Sequence, residues 1–115
     1  MGNSLVDARV IQGIGSSTGV VEGRARIVLD PGAIDGLDRS EILVARETDP
    51  GWLFLMLASS GIVVERGSML SHTAITGRQF GIPTVVGAMN ATTSIREGSR
   101  VRVDGSSGLV TVLDA

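Results

Sequence analysis

Residues 62–87 constrain the fold more than any other part of the chain. They begin with the run IVVER, residues 62–66, which is typical of a short buried strand. Gly67 interrupts that run, and Ser68 or Ser71 is suited to cap a helix that continues to about Phe80. A glycine and then a proline follow, and these residues end helices. The pattern therefore predicts a strand–turn–helix unit.

The only histidine of the chain, His72, falls in the first turn of that helix. Free backbone N–H groups and the positive end of the helix dipole favour an anion at this place. The same field disfavours an imidazolium cation, so we expect the ring to keep a nucleophilic nitrogen at about pH 7. A neutral imidazole beside an anion site is the arrangement that a histidine needs if it is to accept a phosphoryl group.

Residues 67–87, GSMLSHTAITGRQFGIPTVVG, resemble the signature of a known family. They are similar to the phosphohistidine domain, also called the mobile or swivelling domain, of the phosphoenolpyruvate-utilising enzymes. That family includes phosphoenolpyruvate synthase, pyruvate phosphate dikinase, Enzyme I of the sugar phosphotransferase system and rifampin phosphotransferase. The matching positions are Gly67, Ser71, His72, Ala74, Ile75, Arg78, Gly81, Ile82, Pro83, Val85, Val86 and Gly87. The chain departs from the family pattern at Ser68, where the family has a second glycine, and at Gly77, where it has alanine.

The resemblance implies an α/β fold of the swivelling β/β/α type. This is a sheet of short strands with two or three helices and the active histidine at a helix N-terminus. It implies that His72 is the phosphorylated nucleophile, which carries a phosphoryl group between two partner domains. In the family, one partner binds nucleotide and the other binds phosphoenolpyruvate, pyruvate or another acceptor. Mg²⁺ and ATP or phosphoenolpyruvate are therefore expected on the partners and no cofactor on this domain alone, so the chain should not complete a turnover by itself.

Several residues near the histidine are candidates for holding a phosphoryl group or orienting the ring. Ser71 and Thr73 flank it, and helix capping is their equal alternative. Gly67 suits a positive φ or the close approach of a phosphate, and Ser68 shares its turn. Thr48 matches a threonine of the family pattern, so it is a possible neighbour of the ring. Its alternative is helix capping alone, which general helix chemistry favours.

A second group of residues is predicted to dock against partner domains. Arg78 matches a family arginine but lies about 240° round the helix from the histidine. It is therefore expected to pack against the sheet or to contact a partner, rather than to bind the phosphate. Met69, Leu70, Thr73 and Gln79 are placed on the docking surface, and Thr76 is expected at its rim because it lies nearer to the stripe of the histidine.

The rest of the chain reads as short strands separated by turns. Residues 1–8 are predicted to be a flexible tail and residues 9–115 a single domain. Strands are predicted at 9–14, 20–29, 41–46 and 84–87, with a terminal hairpin of 100–104 and 109–113. A turn is predicted at 15–19, a short buried helix at 52–57, and a loop or short helix at 88–98.

Composition excludes several classes of function. The net charge is −2 and the ten basic residues are scattered arginines, so nucleic acid is not an expected partner. No apolar run approaches the roughly 20 residues of a membrane span, and no signal peptide is evident. The chain has no cysteine, which fits a cytoplasmic location and leaves no Cys-based metal site, and no metal ligand set is predicted.

Two other functions compete with that of a phosphoryl carrier. A Ser-His-Asp hydrolase is disfavoured because adjacent helical residues such as Ser71 and His72 diverge by about 100°, and because no nucleophile elbow is present. A binding or lid module that keeps the fold without the chemistry is the remaining alternative. Phosphorylation of the histidine separates this alternative from the carrier.

Overall fold

One eight-stranded sheet organises residues 9–114, the part of the chain that the computed structural model describes. The strands are β1 (Arg9–Gln12), β2 (Ile14–Ser17), β3 (Val20–Ile27), β4 (Glu41–Ala45), β5 (Gly61–Val64), β6 (Thr84–Val86), β7 (Arg100–Asp104) and β8 (Leu109–Val112). Their order across the sheet is β1-β8-β7-β3-β4-β5-β6-β2. The tail predicted at residues 1–8 lies outside the described residues.

Four parallel strands, β3 to β6, form the middle of the sheet. Ile42 to Ala45 are fully buried, as the apolar run at 41–46 predicts for a strand covered on both faces. Because side chains alternate along a strand, Ile42 and Val44 belong to one core cluster, and Leu43 and Ala45 belong to the cluster on the other face. The sheet therefore separates two layers of core. The predicted terminal hairpin is confirmed by the antiparallel pairing of β7 with β8.

The first predicted strand, at 9–14, is wrong in its extent. The strand is interrupted at Gly13, so that β1 pairs with β8 at one edge of the sheet while β2 pairs with β6 at the other. Because only Gly13 separates β1 from β2, the sheet curls until its two edges meet. A Cβ at Gly13 would lie 2.6 Å from Cγ1 of Val85, and one at Gly15 would lie 2.5 Å from the carbonyl oxygen of Gly105. These glycines permit the close approach of neighbouring strands. Of the turn predicted at 15–19, residues 15–17 belong to strand β2 instead.

Helices cover both faces of the sheet. They are α1 (Leu53–Ala58), α2 (His72–Phe80) and α3 (Ala91–Ser94), with 3₁₀ turns at Pro31–Ala33 and Pro50–Trp52. Met56 of α1 and Ala74 of α2 enter one core cluster, whereas Ala91 of α3 enters the other. The predicted α/β class with two or three helices is confirmed. Among residues 9–114 there is no helix with the length and apolar character needed to cross a bilayer.

Helix α2 lies unusually close to β6. A Cβ at Gly77 would lie 2.1 Å from Oγ1 and 2.9 Å from Cβ of Thr84, which is fully buried. The Ser17 hydroxyl donates to the Gly77 carbonyl at 3.2 Å and ties the helix to β2. The helix ends as predicted at Gly81, which has a left-handed φ of 68°.

Candidate active site

The candidate site lies at the carboxyl edge of the parallel strands. β5 ends at Val64, and His72 opens α2 eight residues later in the chain. The carboxyl ends of parallel strands are where α/β sheets bind ligands, because the loops that follow neighbouring strands meet there. His72 is half-buried, which leaves part of its ring accessible from the surface.

The loop before the histidine depends on Gly67. Its φ is 120°, a positive value that glycine adopts readily. A positive φ is one of the two reasons for which the sequence predicts a glycine here. A Cβ at this position would lie 2.8 Å from Oγ of Ser71. Any other residue would therefore push the loop away from the first turn of α2.

Ser71 occupies the N-cap position of α2, but its hydroxyl does not cap the helix. Instead it donates to the Ser68 carbonyl at 2.8 Å, while the Ser68 hydroxyl accepts from the Leu70 N–H at 3.3 Å. The predicted capping bond is therefore wrong, because the two serines stabilise the loop that they share. The first N–H groups of α2 have no side-chain cap.

Threonine hydroxyls contact both nitrogens of the His72 ring. Oγ1 of Thr48 lies 3.2 Å from Nδ1, and Oγ1 of Thr76 lies 3.3 Å from Nε2. Oγ1 of Thr73 lies 2.6 Å from that of Thr48, so the two hydroxyls form a pair on the Nδ1 side. Thr73 and Thr76 are 3% and 6% exposed, so the docking role predicted for Thr73 is wrong. The ring is held at two points, and this limits its rotation.

Of the two residues that contact the ring, the sequence predicts Thr48 as a neighbour of the histidine but not Thr76. Thr48 is one of the predicted candidates, and the neighbouring Asp49 takes the cap position instead by accepting from the Gly51 N–H at 2.8 Å. Thr76 is predicted at the rim of a docking surface, which is wrong because its side of α2 packs on the sheet. The i, i+4 spacing of His72 and Thr76 is the signal that could have indicated the contact.

Within residues 9–114 the Arg78 guanidinium makes its hydrogen bonds to backbone carbonyls and not to the ring. Nη1 donates to the Ser16 carbonyl at 3.1 Å, and Nη2 donates to the Met69 carbonyl at 2.6 Å. The residue therefore packs against the sheet, which is one of its two predicted roles. It also fixes the loop that carries Met69 and Leu70 beside the histidine.

Exposed apolar side chains surround this edge of the sheet. Met69 is 44% and Leu70 83% exposed, and Gln79 is also exposed, which suits their predicted docking role. Two further exposed residues are absent from that prediction, Phe54 at 86% and Met89 at 75%. They follow β4 and β6, the strands on either side of β5. Sequence alone does not mark them, because an apolar residue in a helix or loop is normally assigned to the core.

The charges at the same edge are mixed. Arg66 lies 3.5 Å from Glu47, but both side chains are exposed, so their pair contributes little to stability. Burial raises the pKa of Glu65, yet the hydrogen bonds from Thr92 and the charges of Arg46 and Arg66 together lower that pKa below its ordinary value. The Glu65 carboxylate thereby stays ionised and anchors α3 to the end of β5. Among residues 9–114, no group of three or more His, Asp or Glu side chains is arranged to hold a metal ion.

The eight-stranded sheet and the helix that begins at His72 are the features expected of a swivelling β/β/α domain. The model of the PEP-utilising enzyme mobile domain family matches residues 37–108, which is more than half of the chain. The chain therefore belongs to this family, and the resemblance seen in residues 67–87 is confirmed.

The similar curated proteins are much longer than this chain. It is 46% identical over 101 residues to rifampicin phosphotransferase of Streptomyces sviceus, covering 88% of this chain and 12% of that protein. It is 44% identical over 106 residues to rifampicin phosphotransferase of Bacillus cereus, covering 92% of this chain and 12% of that protein. It is 41% identical over 109 residues to a probable phosphoenolpyruvate synthase of Staphylothermus marinus, covering 92% and 13%. The chain thus corresponds to a small part of each relative.

Solved structures agree on the fold. A solution structure of Enzyme I superposes with a TM-score of 0.59 at 30% identity, over 74% of this chain and 34% of that one. Aconitase X of Thermococcus kodakaraensis superposes with a TM-score of 0.68 at 20% identity, over 92% and 99%. The second likeness concerns the fold alone.

Proposed function

We propose that this chain is the phosphoryl-carrier domain of a PEP-utilising phosphotransferase. His72 accepts a phosphoryl group at a nucleotide site on one partner domain and delivers it to an acceptor site on another. The observation that supports this most strongly is the setting of the only histidine, which opens α2 with both ring nitrogens in contact with threonine hydroxyls. Relatives named as phosphotransferases and as a phosphoenolpyruvate synthase support the reaction class.

We assign the nucleophile to Nε2. Nδ1 is the nitrogen next to the substituted ring carbon, and it contacts Thr48, whose hydroxyl is itself bonded to Thr73. Nε2 has one longer contact, to Thr76. With a proton on Nδ1 shared with Thr48, Nε2 presents its lone pair to phosphorus. The N–P bond forms as the bond from phosphorus to the leaving oxygen of the donor breaks.

The second transfer reverses this chemistry. An oxygen nucleophile of the acceptor attacks phosphorus, the N–P bond breaks, and the electron pair returns to Nε2. Because one histidine cannot occupy two separate active sites at once, the domain has to leave one partner before it docks on the other. The exposed Met69, Leu70 and Gln79 beside the histidine suit a surface that binds and releases.

We place the other requirements of the reaction on partner domains. These are Mg²⁺ with ATP at the donor site, and phosphoenolpyruvate, pyruvate or another molecule at the acceptor site. The relatives are about eight times longer than their matched part, which leaves room for such domains. A cytoplasmic location is proposed with them, because ATP and phosphoenolpyruvate are cytoplasmic metabolites.

A domain exchange tests the proposal. The matching segment of the Bacillus cereus rifampicin phosphotransferase is replaced by this chain, to which it is 44% identical over 106 residues. The exchanged enzyme should phosphorylate rifampicin, and its His72→Ala form should not. Thr93→Val, on the surface of α3, is a control for substitution as such and should leave the activity unchanged. A lid module without chemistry predicts instead that the exchanged enzyme is inactive even with His72 in place.

A further inference from the structure

Thr76 differs from the other hydroxyls around the ring. Its Oγ1 lies 3.3 Å from Nε2, and this is the one hydrogen bond that its side chain makes among the described residues. Thr48, in contrast, bonds both Nδ1 and Thr73. The side chain of Thr76 is almost wholly buried, so its hydroxyl has little access to water as an alternative partner.

The contact between Thr76 and Nε2 competes with phosphorylation. A phosphorus atom bonded to Nε2 would occupy the space that now separates this nitrogen from Oγ1 of Thr76. The lone pair that attacks phosphorus is also the only one with which Nε2 can accept a hydrogen bond. The hydroxyl therefore has to leave before the N–P bond forms.

Helix geometry gives the Thr76 hydroxyl a second hydrogen-bond acceptor. A helical threonine populates two χ1 rotamers, because its Oγ1 can bond the carbonyl one turn earlier. For Thr76 the carbonyl four residues earlier is that of His72, since both residues lie in α2. One rotation about χ1 exchanges the ring nitrogen for the backbone carbonyl, and the buried hydroxyl keeps a partner.

We infer that Thr76 is a positioning residue that gates the nucleophile. Its hydroxyl occupies Nε2 in the resting domain, which holds the ring in place together with Thr48, and turns to the His72 carbonyl when a phosphoryl group arrives. This inference rests on the proposed function of His72 and on the assignment of Nε2. It concerns a residue that the family signature does not single out.

Three substitutions separate the gate from a merely structural role. Thr76→Val keeps the shape of the side chain but places a methyl group that cannot bond the carbonyl, and valine holds one χ1 rotamer in a helix. Thr76→Ala removes the group that contacts Nε2 of His72. Thr76→Ser keeps a hydroxyl that can turn. A gate predicts that phosphorylation is slowest in Thr76→Val, whereas a packing role predicts that Thr76→Ala is the most damaging because it leaves a cavity.

Potassium phosphoramidate is the probe, because this small donor needs no partner domain. Nε2 attacks phosphorus, the P–N bond of the donor breaks, and ammonia leaves. We expect Thr76→Val to react about 2- to 10-fold more slowly than Thr76→Ala, since the valine methyl group has to leave its preferred rotamer to clear Nε2. Thr76→Ser should react like the unsubstituted chain. Thr93→Val and Thr93→Ala are matched controls on α3, where the hydroxyl bonds only the Asn90 carbonyl.

Two results would overturn the inference. One is a Thr76→Val rate equal to or above that of Thr76→Ala, after urea titrations show that both are folded. The other is a product that nitrogen NMR assigns to Nδ1. Failure of the proposed function looks different, because the exchanged phosphotransferase would then be inactive while the order of the Thr76 rates with phosphoramidate still stood.

Discussion

Gly77→Ala tests how α2 is held on the sheet. Alanine is the family residue at this position, and in an ordinary helix the change from glycine stabilises by up to about 1 kcal/mol. Here the added Cβ would lie 2.1 Å from Oγ1 and 2.9 Å from Cβ of Thr84. Such overpacking costs about 1–3 kcal/mol, because Thr84 is fully buried and has no free space to enter. We therefore expect a net loss of about 1–2 kcal/mol in the free energy of unfolding.

Urea titration measures this loss, with the fluorescence of the buried Trp52 as the signal. The Thr84→Ala background is the informative comparison, because it removes the atom in the shorter overlap and leaves the 2.9 Å approach of the two Cβ atoms. In that background Gly77→Ala should cost at most about half as much. A Gly77→Ala chain that is more stable than the unsubstituted one would refute the packing argument.

Two further predictions concern the ring and the carboxylates. Thr48→Val should slow phosphorylation by phosphoramidate roughly 2- to 10-fold, because it removes the hydroxyl that bonds Nδ1, whereas Thr48→Ser should keep the rate. The pKa of Asp38, held by the hydroxyl and N–H of Ser40, lies below its ordinary value, as do those of Glu65 and Asp104. The three carboxylates therefore make their full contribution to the free energy of unfolding above the ordinary pKa values, 3.8 for Asp and 4.5 for Glu. That contribution is lost as the pH falls below these values.

Each of these predictions has a result that would count against it. For Thr48, an unchanged rate in the valine form would mean that the contact to Nδ1 does not orient the ring. For the carboxylates, urea titrations across the acid range should show a falling free energy of unfolding, and Glu65→Gln should weaken the dependence. A free energy that rises with acid would contradict the lowered pKa values.

The sequence predicts most of the parallel centre of the fold. The strand at 41–46, the helix that ends at Gly81 and the terminal hairpin follow from short apolar runs and from glycine and proline stops, which act locally. The split of the first strand at Gly13 does not follow from them. It depends on contacts with β6 and with the β7–β8 hairpin, which lie far away in the chain.

The candidate site is predicted to a similar degree. His72 and Thr48 are recognisable because they match a pattern of residue types at fixed spacing. The sequence places Thr76 at the rim of a surface, because spacing along a helix gives the direction of a side chain relative to its neighbours but not which face meets the sheet. The capping role of Ser71 failed for a related reason, since the loop before α2 offered its hydroxyl a nearer acceptor.

The most direct test of the account is whether His72 becomes phosphorylated by the nucleotide-binding partner domain proposed for it. The chain is incubated with that domain, Mg²⁺ and ATP, and its intact mass is measured before and after brief acid treatment. We predict a gain of one phosphoryl group that is lost in acid, survives in base, and is absent from the His72→Ala chain. A phosphoryl group that resists acid, or that is found on the His72→Ala chain, would contradict the central claim.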